Sequence, residues 1–435
     1  MPTISIVGLG KLGASMVAAY ADRGFSVIGV DINEQAVAAI NAHTSPVPEA
    51  HVTELLQKNA ARVRATTDVR EAVLWSDITF IIVPTPTDET GGFTPRYVLE
   101  ACEGIGRAIA EKGAYHLVAV TATLMPGHSI GLVIPALERA SGKTCGKDFG
   151  YCYNPEFIAI GTVVRDLLNP DFILIGESDK KAGDALNTFY TQALGWLTRV
   201  KRMNPTSAEI AKLSLNVFVT MKISFANSLA ELCEQYPGAD VDAVTDAIGT
   251  DSRIGKKYLK AGVGFGGTCF PRDNRAFATL VKAGSGVVLH SPVTDAINER
   301  NKQKIAALVL RASEGGKRVG ILGLAYKPGT NVVEESHGVY VAQACLAAGR
   351  AVSVFDPAGY DHARKVLGDG VMYCATLEEC VGNSDVALVV NMDPAFEILP
   401  TLVHDGQTVI DPWRMFRDKL DQSIKYVTLG LGKSD

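Results

Sequence analysis

A glycine-rich turn near the N-terminus narrows the choice of fold at once. The segment Gly8–Gly13 (Gly-Leu-Gly-Lys-Leu-Gly) follows a continuous apolar run and opens a helical pattern that extends to Arg23. A second apolar run then ends in Asp31. Strand, glycine turn, helix, strand and acidic residue, with about 20 residues between turn and acid, predict a βαβ unit that binds a dinucleotide.

Each residue of this motif has an expected role. Gly8 would permit the tight turn, Gly10 the approach of backbone to a pyrophosphate, and Gly13 the close packing of helix on strand. Asp31 would accept hydrogen bonds from the adenosine ribose and repel a 2′-phosphate, which favours NAD over NADP. A strand–helix turn without a ligand is the alternative. The predicted cofactor contacts here are Gly8, Gly10, Lys11, Leu12, Gly13 and Asp31.

Composition excludes several classes of protein. With 435 residues, 47% of them hydrophobic, the chain can bury two or three cores. A net charge of −5 is not the basic charge expected of a protein that binds nucleic acid. The apolar runs are too short for a membrane span. The eight cysteines form no CxxC pair and the histidines no metal spacing, so we expect no metal. Because the chain opens directly on a strand pattern, we expect a cytoplasmic protein.

The strand pattern occurs in two separate stretches of the chain. Continuous apolar runs favour parallel sheets that helices cover on both faces. Ser76-Asp77 before one run resembles Ser384-Asp385 before another, a weak internal repeat. The predicted strands after the first two are Ile78–Val83, Leu117–Thr121 and Phe172–Ile175, then Arg318–Leu324, Ala351–Phe355 and Asp385–Val390.

Between these stretches lies a long helical pattern. It runs from Ile210 to about Cys233 without Gly or Pro, and Thr206 to Glu209 resembles a capping box at its start. We therefore predict an α/β protein with two doubly wound Rossmann-like parallel-sheet domains joined by a long central helix. Residues 1–200 would bind NAD, residues 201–300 would form a helical dimerisation domain, and residues 301–435 the second Rossmann-like domain. One large sheet interrupted by helices is the alternative.

A cysteine follows clustered glycines in the segment Gly264–Asp273 (Gly-Phe-Gly-Gly-Thr-Cys-Phe-Pro-Arg-Asp). Few side chains would crowd the Cys269 sulfur there, and a helix dipole or nearby cations would favour its thiolate. Lys256, Lys257, Lys260 and Arg272 are close in sequence. The alternative is a buried cysteine that acts as a small hydrophobic residue.

Two further polar features stand out. Lys212 and Asn216, four residues apart on one helix face, form either a solvated edge or a polar site, and the helix pattern alone favours the edge. Glu156, between aromatic residues in Tyr153–Phe157, is a candidate base or a helix cap.

These features, in this order, resemble the family of nucleotide-sugar dehydrogenases typified by UDP-glucose and GDP-mannose 6-dehydrogenases. The resemblance covers nearly the whole chain, and the Gly-Phe-Gly-Gly-x-Cys-Phe loop is its most specific part. It also includes Val83–Thr87, Arg253–Gly255, Tyr258–Lys260 and Ala325–Lys327.

The resemblance implies a four-electron oxidation of a sugar alcohol to a carboxylate with two NAD⁺. Cys269 would trap the aldehyde as a thiohemiacetal and then carry a thioester. Lys212, with Asn216 beside it, would stabilise an oxyanion, and Glu156 would be the base for hydrolysis. Asp273 would position water or the lysine, and Thr123 would contact cofactor and water.

The resemblance also implies the binding residues. Since the family's counterpart of Arg253 comes from the neighbouring subunit, we expect at least a homodimer. For the cofactor the residues are Val83, Thr85, Pro86, Thr87 and Thr123. For the nucleotide sugar they are Glu156, Phe157, Lys212, Asn216, Arg253, Tyr258, Lys260, Gly264, Phe265, Gly266, Tyr326, Lys327 and Arg414.

The chain departs from the family pattern at three positions. Ile160 replaces an acid, Val332 an aspartate and Glu334 an arginine, so we expect weaker binding at the nicotinamide end of NAD⁺. UDP-glucose is the favoured substrate, because Leu167–Asp171 and Asn154–Glu156 resemble that branch. The alternatives are a GDP-mannose or UDP-N-acetylhexosamine dehydrogenase, a single-step hydroxyacid dehydrogenase, and a nucleotide-sugar-binding protein without turnover.

Overall fold

The computed structural model describes residues 1–159, 161–281, 287 and 289–432, and Ile160 therefore lies outside the described residues. The chain divides into two compact units, Met1–Ser214 and Leu215–Asp435. The long helix α9 (Pro205–Cys233) begins in the first unit and ends in the second. The helical pattern predicted from the sequence is confirmed, and its described start is a few residues earlier.

The first unit is built on one sheet of short, buried strands. Its elements are β1 (Ile4–Val7), α1 (Lys11–Asp22), β2 (Val27–Val30), α2 (Glu34–Asn41), α3 (Val52–Lys58), β3 (Val63–Thr66), α4 (Val69–Trp75), β4 (Ile78–Ile81), α5 (Arg96–Glu111), β5 (Leu117–Val120), α6 (Ile134–Ser141), β6 (Gly150–Tyr153), α7 (Val163–Leu168), β7 (Ile173–Glu177), α8 (Lys180–Leu194) and β8 (Val200–Met203).

The strand order of this sheet is β3-β2-β1-β4-β5-β6-β7-β8. Neighbouring strands are parallel, with the exception of β6 and β7, which are antiparallel. Strands β1, β2, β4 and β5 are buried along their whole length, which explains their continuous apolar sequences. The order reverses between β1 and β4, and doubly wound sheets bind ligands at that crevice, at the carboxyl ends of the strands.

The second unit contains a second sheet, with the order β11-β10-β9-β12-β13-β14 and parallel pairing throughout. Two separate sheets exclude the alternative of one interrupted sheet. The elements are α10 (Val241–Thr250), α11 (Phe270–Ala278), α12 (Ser291–Ala312), β9 (Val319–Leu322), α13 (His337–Ala347), β10 (Val352–Phe355), α14 (Tyr360–Leu367), β11 (Met372–Tyr373), α15 (Leu377–Gly382), β12 (Val386–Val389), β13 (Thr408–Ile410) and β14 (Lys425–Val427).

The internal repeat seen in the sequence has a structural basis. Strands β4 and β12 each lie beside the first strand of their sheet. The aspartate before each strand accepts a hydrogen bond from the backbone N–H that precedes that first strand: Asp77 from Thr3 at 2.8 Å, and Asp385 from Arg318 at 2.8 Å. The first six strands of the first sheet have the same order as the six strands of the second, and both sheets use the same polar contact beside their first strand.

The predicted capping box of α9 is wrong. The N–H of Ser207 donates to the side chain of Asn204 at 2.9 Å, so Asn204 caps the helix. The Glu209 carboxylate instead accepts hydrogen bonds from the backbone N–H groups of Gly127 and Ser129, at 2.6 and 2.8 Å. A sequence pattern of capping residues cannot distinguish a local bond from one made to another part of the chain.

Candidate functional site

The glycine turn between β1 and α1 has the geometry that a dinucleotide requires. Gly8 has a φ of +103°, and a Cβ there would lie 2.4 Å from the carbonyl oxygen of Ile82. A Cβ at Gly13 would lie 1.8 Å from the Gly8 oxygen, so helix and turn touch there. At Gly10, by contrast, a Cβ would meet nothing within 4 Å. The first and third glycines serve packing, and the second faces open space.

The N-terminus of α1 suits an anion. Gly10 is its N-cap and provides no side-chain cap, no acidic residue lies in its first turn, and Lys11 and Leu12 are its first helical residues. The N-terminal amide groups and the positive end of the helix dipole both favour a phosphate. Asp31 accepts hydrogen bonds from the N–H groups of Leu9, at 2.6 Å, and Asn33, at 2.9 Å. Each carboxylate oxygen has a further lone pair for a ribose hydroxyl, so these residues fit NAD.

The other predicted cofactor residues follow neighbouring strands of the same sheet. Val83–Thr87 follow β4, with Thr85 buried and Thr87 bridged to Phe93, and Thr123 follows β5 and is half-buried. Because parallel strands end at one edge of the sheet, these residues lie on the edge that carries the glycine turn.

Glu209 joins the segment after Thr123 to helix α9. The segment Gly127–Ser129 precedes a wide helical turn, Ser129–Val133, which continues into α6. The fully buried Glu209 carboxylate accepts from the backbone at the start of this helix, so it acts as a cap supplied by α9. Lys212 lies three residues further along α9. Sequence reasoning did not find this role.

Glu156 is a buried carboxyl group in the first unit and not a helix cap. It follows β6, and the Tyr190 hydroxyl of α8 lies 3.3 Å from its Oε1. Burial raises the pKa of Glu156 to about 7, against smaller lowering contributions from the Tyr190 hydroxyl, when it is taken as the donor, and from the positive charge of Lys212. A carboxyl group of this kind is suited to exchange protons near neutral pH. Tyr190 itself was missed, because nothing local in the sequence connects it to Glu156.

Lys212 lies against the same segment. Its Nζ donates to the backbone oxygen of Glu156 at 2.6 Å and lies 4.8 Å from the centre of the Phe157 ring. Phe157 in turn packs on Phe172, with ring centres 4.8 Å apart. The ammonium group is thus held near Glu156 without an ion pair to its carboxylate. The solvated edge that the helix pattern favoured is wrong for Lys212.

In the second unit, Cys269 occupies the N-cap position of α11. All eight cysteines lie in the described part of the chain, and Cys269 alone is exposed. The positive end of a helix favours a negative charge at this position. Tyr258 and Tyr326 lie nearby, and burial, with a contribution from Cys269, raises the pKa of Tyr326 to about 12. The interpretation of Cys269 as a buried hydrophobic residue is wrong. Lys256, one of the cations close to Cys269 in sequence, forms an ion pair with Asp246.

The glycines before Cys269 serve close packing. A Cβ at Gly266 would lie 2.5 Å from the backbone oxygen of Glu335, and one at Gly267 would lie 2.7 Å from the Tyr326 ring. Asn298 of α12 donates to the oxygen of Phe265 and accepts from its N–H, both at 2.9 Å. The loop is therefore held from two sides. Asn298 was missed, although its polar side chain within a helical pattern was a possible signal.

Helix α9 also positions α11. The Asn216 amide donates to Asp273 Oδ2 at 2.6 Å, and the Thr220 hydroxyl, one turn later, donates to Asn274 at 2.9 Å. Asn216, Thr220 and both acceptor residues are buried. A predicted catalytic pair, Asn216 and Asp273, is therefore in contact, and these bonds fix the helix whose N-cap residue is Cys269.

Three predicted substrate cations of the second unit, Arg253, Lys260 and Lys327, are exposed or half-buried. Arg253 is exposed and pairs with Asp251, with an N–O distance of 2.6 Å. Lys260 is exposed with its Nζ 3.5 Å from the Met392 sulfur, and Lys327 is half-buried with its Nζ 5.7 Å from the centre of the Tyr326 ring. Arg253 can reorient towards a diphosphate at a small cost, since an exposed ion pair contributes little.

Arg414 differs from these cations. It is buried, and its five N–H groups donate to the Asp242 carboxylate and to the backbone oxygens of Pro412, Leu429 and Ala261. A guanidinium group has five such donors, so none is left for a ligand. We therefore correct its predicted role: Arg414 fastens the C-terminal segment to α10.

Two of the three departures from the family pattern can be located. Val332 is buried within the loop that precedes α13, and Glu334 is exposed, with its backbone oxygen accepting the Gly267 N–H at 2.9 Å. Ile160 lies outside the described residues. Among the described residues, no helix is long and apolar enough to cross a membrane, and no three His, Cys, Asp or Glu residues form a group that could hold a metal ion.

Comparisons with known proteins relate this chain to one family of dehydrogenases. The chain matches three models of the UDP-glucose/GDP-mannose dehydrogenase family: its NAD binding domain over residues 2–194, its central domain over 206–303 and its UDP binding domain over 320–418.

Individual relatives are similar over nearly the whole chain. A UDP-glucose 6-dehydrogenase of Haloferax volcanii is 34% identical, over 94% of this chain and 97% of its own. A GDP-mannose 6-dehydrogenase of Pseudomonas aeruginosa is 34% identical, over 94% and 95%. The structure of a UDP-glucose dehydrogenase from Pyrobaculum islandicum superimposes with a TM-score of 0.88, at 34% identity and over 99% and 98% of the two chains. The chain therefore belongs to the UDP-glucose/GDP-mannose dehydrogenase family of NAD-dependent oxidoreductases.

Proposed function

We propose that this enzyme oxidises the primary alcohol of a nucleotide sugar to a carboxylate, with UDP-glucose as substrate and UDP-glucuronate as product. The observation that carries the proposal is the position of Cys269, the one exposed thiol among eight described cysteines, at the N-terminus of α11. A two-step oxidation to an acid needs a nucleophile that holds the aldehyde between the steps, and an accessible thiol beside a helix N-terminus meets that need.

The proposed reaction consists of two oxidations and a hydrolysis. NAD⁺, when bound, would accept a hydride from the sugar carbon in each of two oxidations, and the hydroxyl proton lost in each would pass to solvent. After the first, the Cys269 sulfur adds to the aldehyde carbon and forms a thiohemiacetal. The second oxidation converts this group into a thioester. A water molecule, whose proton passes to Glu156, then adds to the thioester carbon, and the carbon–sulfur bond breaks with release of the acid. The sulfur leaves as a thiolate and takes up a proton from solvent, which regenerates the thiol.

The chain's polar residues have defined roles in these steps. Lys212 would stabilise the oxyanion that develops when sulfur or water adds to the carbonyl carbon. Asp273 and Asn216, which hold each other, would orient water or the lysine. Glu156, with its raised pKa, takes up the proton. Thr123 would contact cofactor and water.

UDP-glucose is favoured over other nucleotide sugars for two reasons. The relatives from Haloferax volcanii and Pyrobaculum islandicum are UDP-glucose dehydrogenases, each 34% identical. The segments Asn154–Glu156 and Leu167–Asp171 resemble the same branch. A GDP-mannose dehydrogenase of equal identity makes GDP-mannose the first alternative, and UDP-N-acetylhexosamines the second.

A panel of nucleotide sugars assayed for NADH production tests the proposal. UDP-glucose should give the highest kcat/KM and two NADH per sugar. A yield of one NADH would instead indicate a single-step dehydrogenase, and no NADH from any sugar would indicate a binding protein. A higher kcat/KM with GDP-mannose would refute the choice of substrate and leave the reaction class intact.

We also propose that the enzyme is a homodimer whose subunits pair through α9. Phe218, Phe225 and Leu232 are about half exposed and seven residues apart, so they form one apolar stripe. A second copy of this chain is the proposed occupant, because a self-complementary stripe pairs with itself around a two-fold axis. Phe225→Glu should convert the dimer to a monomer in light scattering, while Trp196→Glu, at an exposed apolar residue outside α9, should not. A wild-type monomer would refute the proposal.

A further inference from the structure

Asn154 holds the Tyr190 hydroxyl in a fixed hydrogen-bond direction. The Asn154 Nδ2 donates to the backbone oxygen of Leu174 at 2.9 Å, which turns its Oδ1 towards α8. The Tyr190 hydroxyl donates to that Oδ1 at 2.6 Å. All three groups are buried, so water does not compete for either bond.

The Tyr190 hydroxyl has one proton and two candidate acceptors. Its oxygen is 2.6 Å from Asn154 Oδ1 and 3.3 Å from Glu156 Oε1. A hydroxyl donates one hydrogen bond and can accept two, and the shorter distance is typical of a strong O–H···O bond. The proton is therefore committed to Asn154, and a lone pair of the Tyr190 oxygen faces Glu156.

Few other groups can replace Tyr190 as the partner of this carboxyl group. From α9, Lys212 acts on it through space, while its Nζ is bonded to the Glu156 backbone oxygen. From α1, the buried phenol of Tyr20 lies within electrostatic range of Glu156. A lone pair directed at a carboxyl oxygen stabilises the protonated form, which can donate to it, and destabilises the carboxylate.

We propose that Tyr190, oriented by Asn154, is a positioning residue that accepts a hydrogen bond from the protonated Glu156 carboxyl group and thereby strengthens Glu156 as a base. The inference rests on the proposed function, in which Glu156 takes the proton from the hydrolytic water. The opposite arrangement, with Tyr190 donating to the carboxylate, would weaken the base. The two arrangements predict shifts of opposite sign.

Tyr190→Phe tests the sign. It removes the acceptor and keeps the ring that packs beside Phe189. The acid limb of the kcat profile should move to lower pH by about one unit, the size expected for one buried hydrogen bond. A move to higher pH would overturn the proposal, as would an unchanged limb. Tyr151→Phe is the matched control, since its buried hydroxyl bonds to Ser129 at 2.7 Å instead of facing Glu156.

A second measurement separates this proposal from the proposed function. The infrared C=O band of the protonated carboxyl group, identified as the band that Glu156→Gln removes, can be titrated without turnover. In Tyr190→Phe its midpoint should fall by the same amount as the kinetic limb. If Glu156→Gln hydrolyses the thioester at the wild-type rate, Glu156 is not the base, yet the infrared shift still decides which group donates.

Discussion

Removal of the buried Glu209 carboxylate should destabilise the first unit by an amount that its two hydrogen bonds define. The carboxylate has no exposed surface and accepts from Gly127 at 2.6 Å and from Ser129 at 2.8 Å. A hydrogen bond to a charged group contributes about 1.5–3 kcal/mol. Glu209→Ala loses both bonds, leaves two buried N–H groups without their acceptor, and should lower the free energy of unfolding by about 3–5 kcal/mol.

Glu209→Gln should be the milder variant. The amide keeps one oxygen acceptor and turns its NH₂ group towards the second N–H, so one bond is lost, at about 2 kcal/mol. For a unit of this size, each kcal/mol lowers Tm by about 2–4 °C. Calorimetry should therefore show a fall of about 10 °C for alanine and about 5 °C for glutamine in the transition of the first unit.

Glu111→Ala is the control for loss of a glutamate in the same unit. Glu111 forms an exposed ion pair with Arg70, and exposed pairs contribute little. The unfolding transition of the first unit should therefore remain almost unchanged in this variant. If Glu209→Ala moved the transition no further than this control, the two short hydrogen bonds would not stabilise the unit. The description of Glu209 as a cap supplied by α9 would then be refuted.

Four further outcomes are expected. Cys269→Ser should abolish steady-state acid formation while substrate binding stays nearly intact by calorimetric titration, because a hydroxyl is a poorer nucleophile than a thiol. Lys212→Ala should lower kcat by about 10²–10³-fold with a smaller change in KM, and an effect mainly on KM would contradict the oxyanion role. NAD⁺ should bind more tightly than NADP⁺, and Asp31→Ala should reduce that preference in a titration. Ile160→Glu with Glu334→Arg should tighten NAD⁺ binding about tenfold, and unchanged binding would show that the two wild-type residues are neutral.

The features that could be predicted from the sequence are those set by a short local pattern, namely the buried strands and the glycine turn. Continuous apolar runs gave the buried strands beside β1, because a strand covered on both faces has no polar side to reveal. The glycine turn and Asp31 were found for the same reason, since their spacing is short and fixed. The short strands β3 and β8 were missed because their residues are largely half-buried or exposed. An edge strand needs no continuous apolar sequence.

What could not be predicted depends on contacts between distant segments. Tyr190 lies 34 residues from Glu156 along the chain, and Glu209 lies 82 residues from Gly127. Nothing in their local sequence distinguishes them from a core tyrosine or a surface glutamate. Arg414 is the converse case. Its motif position favoured a contact with the substrate. Its guanidinium group is instead bound within the protein to Asp242, 172 residues away.

The two sheets begin with the same turn and use it differently. Gly323 has a φ of +108°, close to the +103° of Gly8, and a Cβ at Gly338 would lie 2.1 Å from the Gly323 oxygen, as one at Gly13 would lie 1.8 Å from that of Gly8. Asp356 accepts from the Leu324 N–H at 2.6 Å, as Asp31 accepts from Leu9. The acidic residue and the contacting glycines are therefore common to both turns.

The helix that follows each turn makes the difference. Helix α1 begins at Lys11 with no side-chain cap, so its N-terminus suits a phosphate. In the second unit, residues 324–336 separate Gly323 from α13, and the Ser336 side chain accepts from the N–H of Gly338 at 3.1 Å. The inserted residues include Tyr326, whose ring packs against Gly267 beside Cys269. The first turn is thus built to hold a dinucleotide, whereas in the second the same framework supports the loop that carries the thiol.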